Sequence, residues 1–343
     1  MFSLNSSHTV TSVNPIEAHA WGAVARLPEI GTVVALGCLA TFLPYFVGSF
    51  GIHIANLGTI MGIAAMSLTI LIGQAGLLSL GHAAFMGVGA FTAGYLASKF
   101  ALDMMAAMAI AGVVGMLIGG LAALATVRAV GLYLAVGTLA LQYVVELVLT
   151  DVEVKYTQAT GFMMPAATAF GTNVRTEPQW LVLNVTLAAA AFLLLTWIAR
   201  SHIGRGWMVV RDNPTIAAAL GISVARARIS VFMLTSFIAA AAGALQGYYA
   251  GIVQVSSYPL HWSIVYVIIV VLGRLGSLSG ALIAAYVIAL LPHALEMLLL
   301  TAGFGPGRGS AGVESLALGI ILAAGLLRAP ERLWARLRSG IGV

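Results

Sequence analysis

Long apolar runs with almost no charge inside them dominate this sequence, and they fix its solvent before anything else. A run of about 20 such residues, wound as a helix, matches the hydrocarbon core of a bilayer. Candidate spans are 30–49, 52–72, 80–98, 104–126, 131–152, 180–200, 229–251, 262–276, 279–299 and 313–328, the eighth of them short and poorly bounded. Only 8% of the 343 residues are charged. A soluble domain has about 25%, so the chain lacks the polar surface to coat itself in water. Barrel strands would alternate in polarity over segments of about 10 residues, and the unbroken runs exclude them. The expected fold is an all-α membrane protein, a polytopic helical bundle of about ten transmembrane helices with an internal repeat as a candidate feature. Residues 1–28 read as a mobile tail, without the basic start and apolar core of a cleaved signal. Residues 29–335 read as the membrane domain and 336–343 as a C-terminal cytoplasmic tail. The lone Cys38 excludes an internal disulfide.

Lysine and arginine give the orientation. With a cytoplasmic N-terminus, 12 of the 16 fall inside, and only Lys99, Lys155, Arg175 and Arg308 fall outside. The positive-inside rule therefore places both termini and the 201–228 loop in the cytoplasm. The net charge of +5 is a topology signal of this kind, and no nucleic-acid partner is expected.

The spans are nearly bare of titratable groups. An ion-driven carrier usually keeps one near mid-membrane, where the ion binds. Here Glu146 and Glu296 fall toward the outer ends of their predicted spans, leaving His82 and His293 as candidates. Each reads first as a packed or interfacial histidine. Lysine occurs only at Lys99 and Lys155, neither after a glycine, so no G-x-x-x-x-G-K-[ST] phosphate loop exists. No Cys/His cluster has metal spacing, and no nucleophile–base arrangement is visible. The chain reads as a transport subunit without a cofactor of its own, and not as an enzyme. If its transport is energised, the energy source lies on another polypeptide.

Residues 200–228 read RSHIGRGWMVVRDNPTIAAALGISVARAR. Asp212-Asn213-Pro214 is a helix start. Asp212 or Asn213 can cap free backbone N–H groups, and Pro214 suits the first helical position. Thr215 to Leu220, Ala218 among them, continue a helix of about two turns, and Gly221 suits the left-handed residue that ends it. Arg205, Arg211, Arg226 and Arg228 flank it. Two readings stand: an ordinary interfacial helix, or a rigid docking knob through which a cytoplasmic partner moves the bundle.

Gly73 to Ser79 reads GQAGLLS, and two hundred positions later Gly273 to Ser279 reads GRLGSLS. Both fit G-x-x-G-x-L-S between apolar runs. Paired glycine-interrupted segments point to a transporter's pathway. Gly73, Gly76, Gly81, Gly273 and Gly276 permit a broken helix, which survives in a membrane only when buried or facing a cavity. Gln74, Ser79 and His82 then offer hydrogen bonds to a polar solute, with Phe85, Arg274 and Ser279 on the same path. The competing reading is a pair of plain turns at the membrane surface.

GQAGLLSLGHAAFMGVGAFTAGYLA resembles the G-x-x-G-x-x-S-L-G-H-A-A-F-x-G-x-G-A-Y signature of branched-chain amino-acid permeases of bacterial ABC importers, the LivM type. GRGWMVVRDNPTIAAALGISVARARISVF resembles that family's cytoplasmic loop, VVLGRLGSLSGALIAA its third hallmark, and LLRAPERLW its C-terminal ending. The resemblance covers roughly residues 30–335, in the family's order. It implies an ABC importer permease fold in the bacterial inner membrane. The implied partners are a second homologous permease, two cytoplasmic ATP-binding subunits that hold ATP and Mg, and a periplasmic solute-binding protein. The Asp212–Gly221 helix is then the coupling helix. Two positions depart from the pattern: Phe162 replaces a glycine of the family's T-G-G run, and Arg274 stands where a glycine is usual. Leucine, isoleucine and valine are the expected solutes, with urea, amides and aromatic carboxylates as alternatives within the same machine. A stand-alone secondary carrier or channel is the alternative outside it, and a membrane scaffold without solute flux is a third.

Overall fold

A computed structural model describes residues 31–32, 35–38, 48–100, 102–126, 131–158, 160–169, 171–301 and 319. The predicted spans 30–49 and 313–328 lie largely outside the described residues. Both tails and the LLRAPERLW stretch lie wholly outside them. The helices are α1 (Ser49–Gly73), α2 (His82–Phe100), α3 (Met104–Thr126), α4 (Leu132–Thr157), α5 (Glu177–Arg200), α6 (His202–Asp212), α7 (Pro214–Ala219), α8 (Val224–Ala250), α9 (Leu260–Leu272) and α10 (Leu278–Thr301). Among the described residues, seven segments are long and apolar enough to cross a membrane: α1, α3, α4, α5, α8, α10 and Val255–Leu272, which contains α9. At 19 residues, α2 is also of spanning length.

The ends of the spans have local causes. α5 begins three residues before its predicted start because Gln179 Oε1 accepts from the backbone N–H of Thr176 (3.2 Å) and Arg175 (2.9 Å). These are orphan donors that a helix start must satisfy. α8 begins five residues early, after Ser223, whose side chain accepts from Arg226 N. α9 runs only from Leu260 to Leu272, so the predicted span 262–276 ends too late, at a turn that Gly273 opens.

α1 is buried along nearly its whole length, against α5, α8, α9 and α10. α8 packs on α2 and α3. The α2–α8 contact is backbone to backbone: a Cβ on Gly89 would lie 1.9 Å from Ala240 O, and one on Gly243 would lie 2.0 Å from Met86 O. Small residues permit that approach, and no larger residue fits.

At one end of the bundle, polar side chains tie three helices together. Asn56 Nδ2 of α1 donates to Glu177 Oε2 of α5 (2.8 Å), and Asn184 Nδ2 donates to Asn56 Oδ1 (2.9 Å). Tyr249 Oη of α8 donates to the same Glu177 oxygen (2.7 Å). Nearby, β1 (Phe162–Met163) pairs antiparallel with β4 (Ile252–Val253), and β2 (Thr168–Ala169) pairs with β3 (Thr172–Asn173).

From β4 the chain turns back into the bundle instead of running along its end. Val255 N donates to Glu153 Oε2 near the end of α4 (2.8 Å). Three residues on, Tyr258 O accepts from Gln142 Nε2 (3.1 Å) and Tyr258 Oη donates to Gly243 O (3.3 Å). Gly243 lies seven residues before Ala250, the end of α8, about 10 Å at 1.5 Å per residue. The segment thus descends below the end of α8, in irregular chain with one 3-10 turn, Val255–Ser257. The 13 residues of α9, about 20 Å, cover the remainder.

Candidate functional site

The loop between α5 and α8 is two helices, where the sequence predicts one. Ser201 caps α6, its Oγ accepting from Ile203 N at 3.2 Å. Gly204, Trp207 and Val210 form the buried side of α6, and Trp207 Nε1 donates to Ser230 Oγ (2.9 Å). Asp212 therefore ends α6, and Asn213 alone caps α7: its Oδ1 accepts from Thr215 N and Ile216 N, each at 3.0 Å. Pro214 takes the first position. At the other end Gly221 N bonds Ala218 O (3.0 Å) and Ile222 N bonds Ala217 O (2.9 Å). This double closure needs a left-handed residue, and Gly221 supplies it at φ +79°.

Ala217 faces the bundle and is fully buried, while Ala218 is exposed. Ile216 and Leu220 stand out at 55% and 67% exposure. The two large apolar side chains stand one turn apart on the exposed side of α7. Arg205 is turned away from it: its guanidinium donates to Arg200 O (2.7 Å) and holds the α5–α6 corner.

Arg211 points the other way, into the bundle. Its guanidinium donates to Gly73 O, and Asp212 Oδ1 holds the same group at 2.9 Å through both Nε and Nη2. Its aliphatic stem lies on Gly76, where a Cβ would come within 2.6 Å of Cγ. Gly76 is left-handed (φ +68°), as is its counterpart Gly276 (φ +87°). The two repeats touch: a Cβ on Gly73 would lie 2.6 Å from Gly276 Cα. One chain of contacts therefore runs from the loop through Arg211 to the first G-x-x-G turn and on to the second.

The remaining sequence-predicted residues divide. Gln74 Oε1 is buried, with no hydrogen-bond partner among the described residues. Ser79 is buried, and its Oγ accepts from Gly81 N (3.4 Å). Gly81 is pressed on Thr138 O. His82 is buried against α1, with Nε2 3.0 Å from Ala64 O and 3.1 Å from Ser67 Oγ. Phe85 is likewise buried in the core. In the second repeat Arg274 is exposed and left-handed (φ +66°). Ser277 Oγ, rather than Ser279, accepts from Gly280 N (3.1 Å). A small cleft opens on the neighbouring face of α2, lined by Ala83, Met86, Gln246, Ser257, Trp262 and Tyr266. Sequence reasoning missed this cleft and also the pair Ile216 and Leu220. Their four-residue spacing, one helical turn, was the available signal. No group of three or more His, Cys, Asp or Glu able to hold a metal occurs among the described residues.

No solved structure matches the chain. It is 27% identical to the high-affinity branched-chain amino acid transport system permease protein LivM of Salmonella typhimurium, over 74% of this chain and 65% of that one. The LivM protein of Escherichia coli matches at the same identity and coverage. The chain thus spans just under two thirds of the length of these relatives. The family described as branched-chain amino acid transport system / permease component matches residues 51–326, and this multi-pass membrane chain belongs to that family.

Proposed function

We propose that this chain is the transmembrane subunit of an ATP-driven importer for leucine, isoleucine and valine or related small solutes, set in a bacterial inner membrane with both termini cytoplasmic. A second homologous permease, two cytoplasmic ATP-binding subunits that hold ATP and Mg, and a periplasmic binding protein complete the machine. Arg211 carries the reading. A side chain of the loop is lodged in the first glycine turn, so displacement of α6–α7 reaches the point where the two repeats meet. The exposed Ile216 and Leu220 give an ATPase a surface to grip. Closure of the ATPases moves α7, α6 follows through Asp212 and Asn213, and Arg211 transmits the shift to Gly73 and Gly276. The bundle then changes which side it opens to.

The test is uptake of labelled leucine into proteoliposomes holding the chain with its candidate partners, with and without ATP, for wild type and Ile216→Asp. ATP-dependent uptake that the substitution abolishes, in a complex that still assembles, is the expected result. Uptake indifferent to the substitution removes the loop from the mechanism. Uptake without ATP dependence overturns the importer reading.

A further inference from the structure

Irregular backbone is stable at membrane depth only where protein buries it or water reaches it. Residues 254–259 are such backbone apart from one 3-10 turn, Val255–Ser257, and hang between Glu153 and Gln142 of α4. One side of the segment is packed: Tyr258 and Ser263 are buried, and Ser263 Oγ accepts from Ala83 N and donates to Gln142 Oε1. The other side is open. Ser256 and His261 are exposed, and Gln254, Ser257 and Trp262 are partly so.

α4 adds a carboxyl side chain to the same edge. Gln142, Glu146 and Glu153 lie at i, i+4 and i+11, on one stripe of the helix, and both outer members of the trio bond the irregular segment. Glu146 is partly exposed, and its carboxylate makes no hydrogen bond or ion pair among the described residues. It sits 14 residues into α4, about 21 Å along the helix axis. A carboxyl side chain within a span faces a bundle interior or a water-filled cavity rather than lipid.

Other exposed faces differ in kind. α3 shows Leu117, Leu121 and Leu124, and α5 shows Val182, Leu193 and Trp197, as a lipid-facing surface does. The edge at 254–261 instead offers two serines, a glutamine, a histidine and the nearby carboxylate. The cleft lined by Gln246, Ser257 and Trp262 opens beside it.

We propose that residues 254–261 and Glu146 form the wall of the water-filled path the solute follows, closed on its far side by the second permease subunit. The inference rests on the importer reading for its solute and for the chain that faces it.

Spin labels test it in the full chain, co-expressed with its partner subunits and reconstituted in liposomes, in a Cys38→Ser background. Labels go at Ser256→Cys, Gln254→Cys and His261→Cys, with Leu121→Cys and Trp197→Cys as lipid references. A water-soluble nickel complex is expected to relax the first three labels several-fold more, relative to oxygen, than the two references. Oxygen dominating at all five positions would mean that the edge faces lipid. Neither reagent reaching Ser256→Cys, Gln254→Cys or His261→Cys would mean that protein buries it. Either result overturns the water-filled wall. Leucine uptake on the same liposomes judges the importer reading separately, since the relaxation measurement needs no transport.

Discussion

The two G-x-x-G-x-L-S turns share a pattern and part of a backbone, yet the bundle treats them differently. In each the second glycine is left-handed, at φ +68° for Gly76 and +87° for Gly276. The first turn is clamped, with Arg211 on its carbonyl and its glycine, and five further residues lead to His82. The second is open. Nothing lies within 4 Å of a Cβ on Gly276, and its turn carries an exposed arginine. A repeated motif therefore specifies a turn, and what packs on the turn assigns its work. In the mechanism proposed above, the first turn receives motion and the second answers it.

Substitutions can break the comparison. Gly73→Ala is expected to be the most damaging, because its Cβ meets the backbone of Gly276, which cannot yield as a side chain does. Such overpacking costs about 3 kcal/mol, read as a complex that melts early or fails to assemble. If Gly276→Ala does equal harm, the two turns are equivalent and the clamp is irrelevant. Arg211→Ala comes next. It strands the Gly73 carbonyl at about 1–3 kcal/mol, and its specific signature is ATP hydrolysis that persists while uptake falls about tenfold for each 1.4 kcal/mol of lost coupling. Hydrolysis and uptake falling together would assign Arg211 to folding alone. Gly276→Ala pays only for a left-handed alanine, about 1 kcal/mol, visible as a small drop in melting temperature with transport retained. Arg274→Gly has the opposite sign. Arg274 is left-handed without being a glycine, so the substitution is expected to raise stability by about 0.5 kcal/mol after glycine's entropy is counted. A fall in stability would show that the arginine makes contacts worth more than its strain.

Much of the bundle was legible because the apolar runs are long and the membrane admits few alternatives. α3 matches its predicted span, Met104–Thr126, to the residue. α7 was legible from Asn213, Pro214 and Gly221, whose cap chemistry is local. α6 was not: its buried side rests on Gly204, Trp207 and Val210, too few apolar positions to stand out among arginines and glycines. The descent of residues 254–259 was invisible for another reason. QVSSYP reads as an ordinary polar link, and only Tyr258 meeting Gly243 and Gln142, each far off in sequence, draws it inward. The usual glycine at position 274 also gains a cause, since the turn requires a left-handed residue there.

The Asn56–Asn184–Glu177–Tyr249 ties have a mechanical consequence. In water, helices that part can exchange such bonds for bonds to solvent. Asn56 and Asn184 are fully buried, so loosening α1 from α5 without admitting water would strand both. The ties therefore hold α1, α5 and α8 together at that end, while Arg211 bonds α1 at its other end, Gly73.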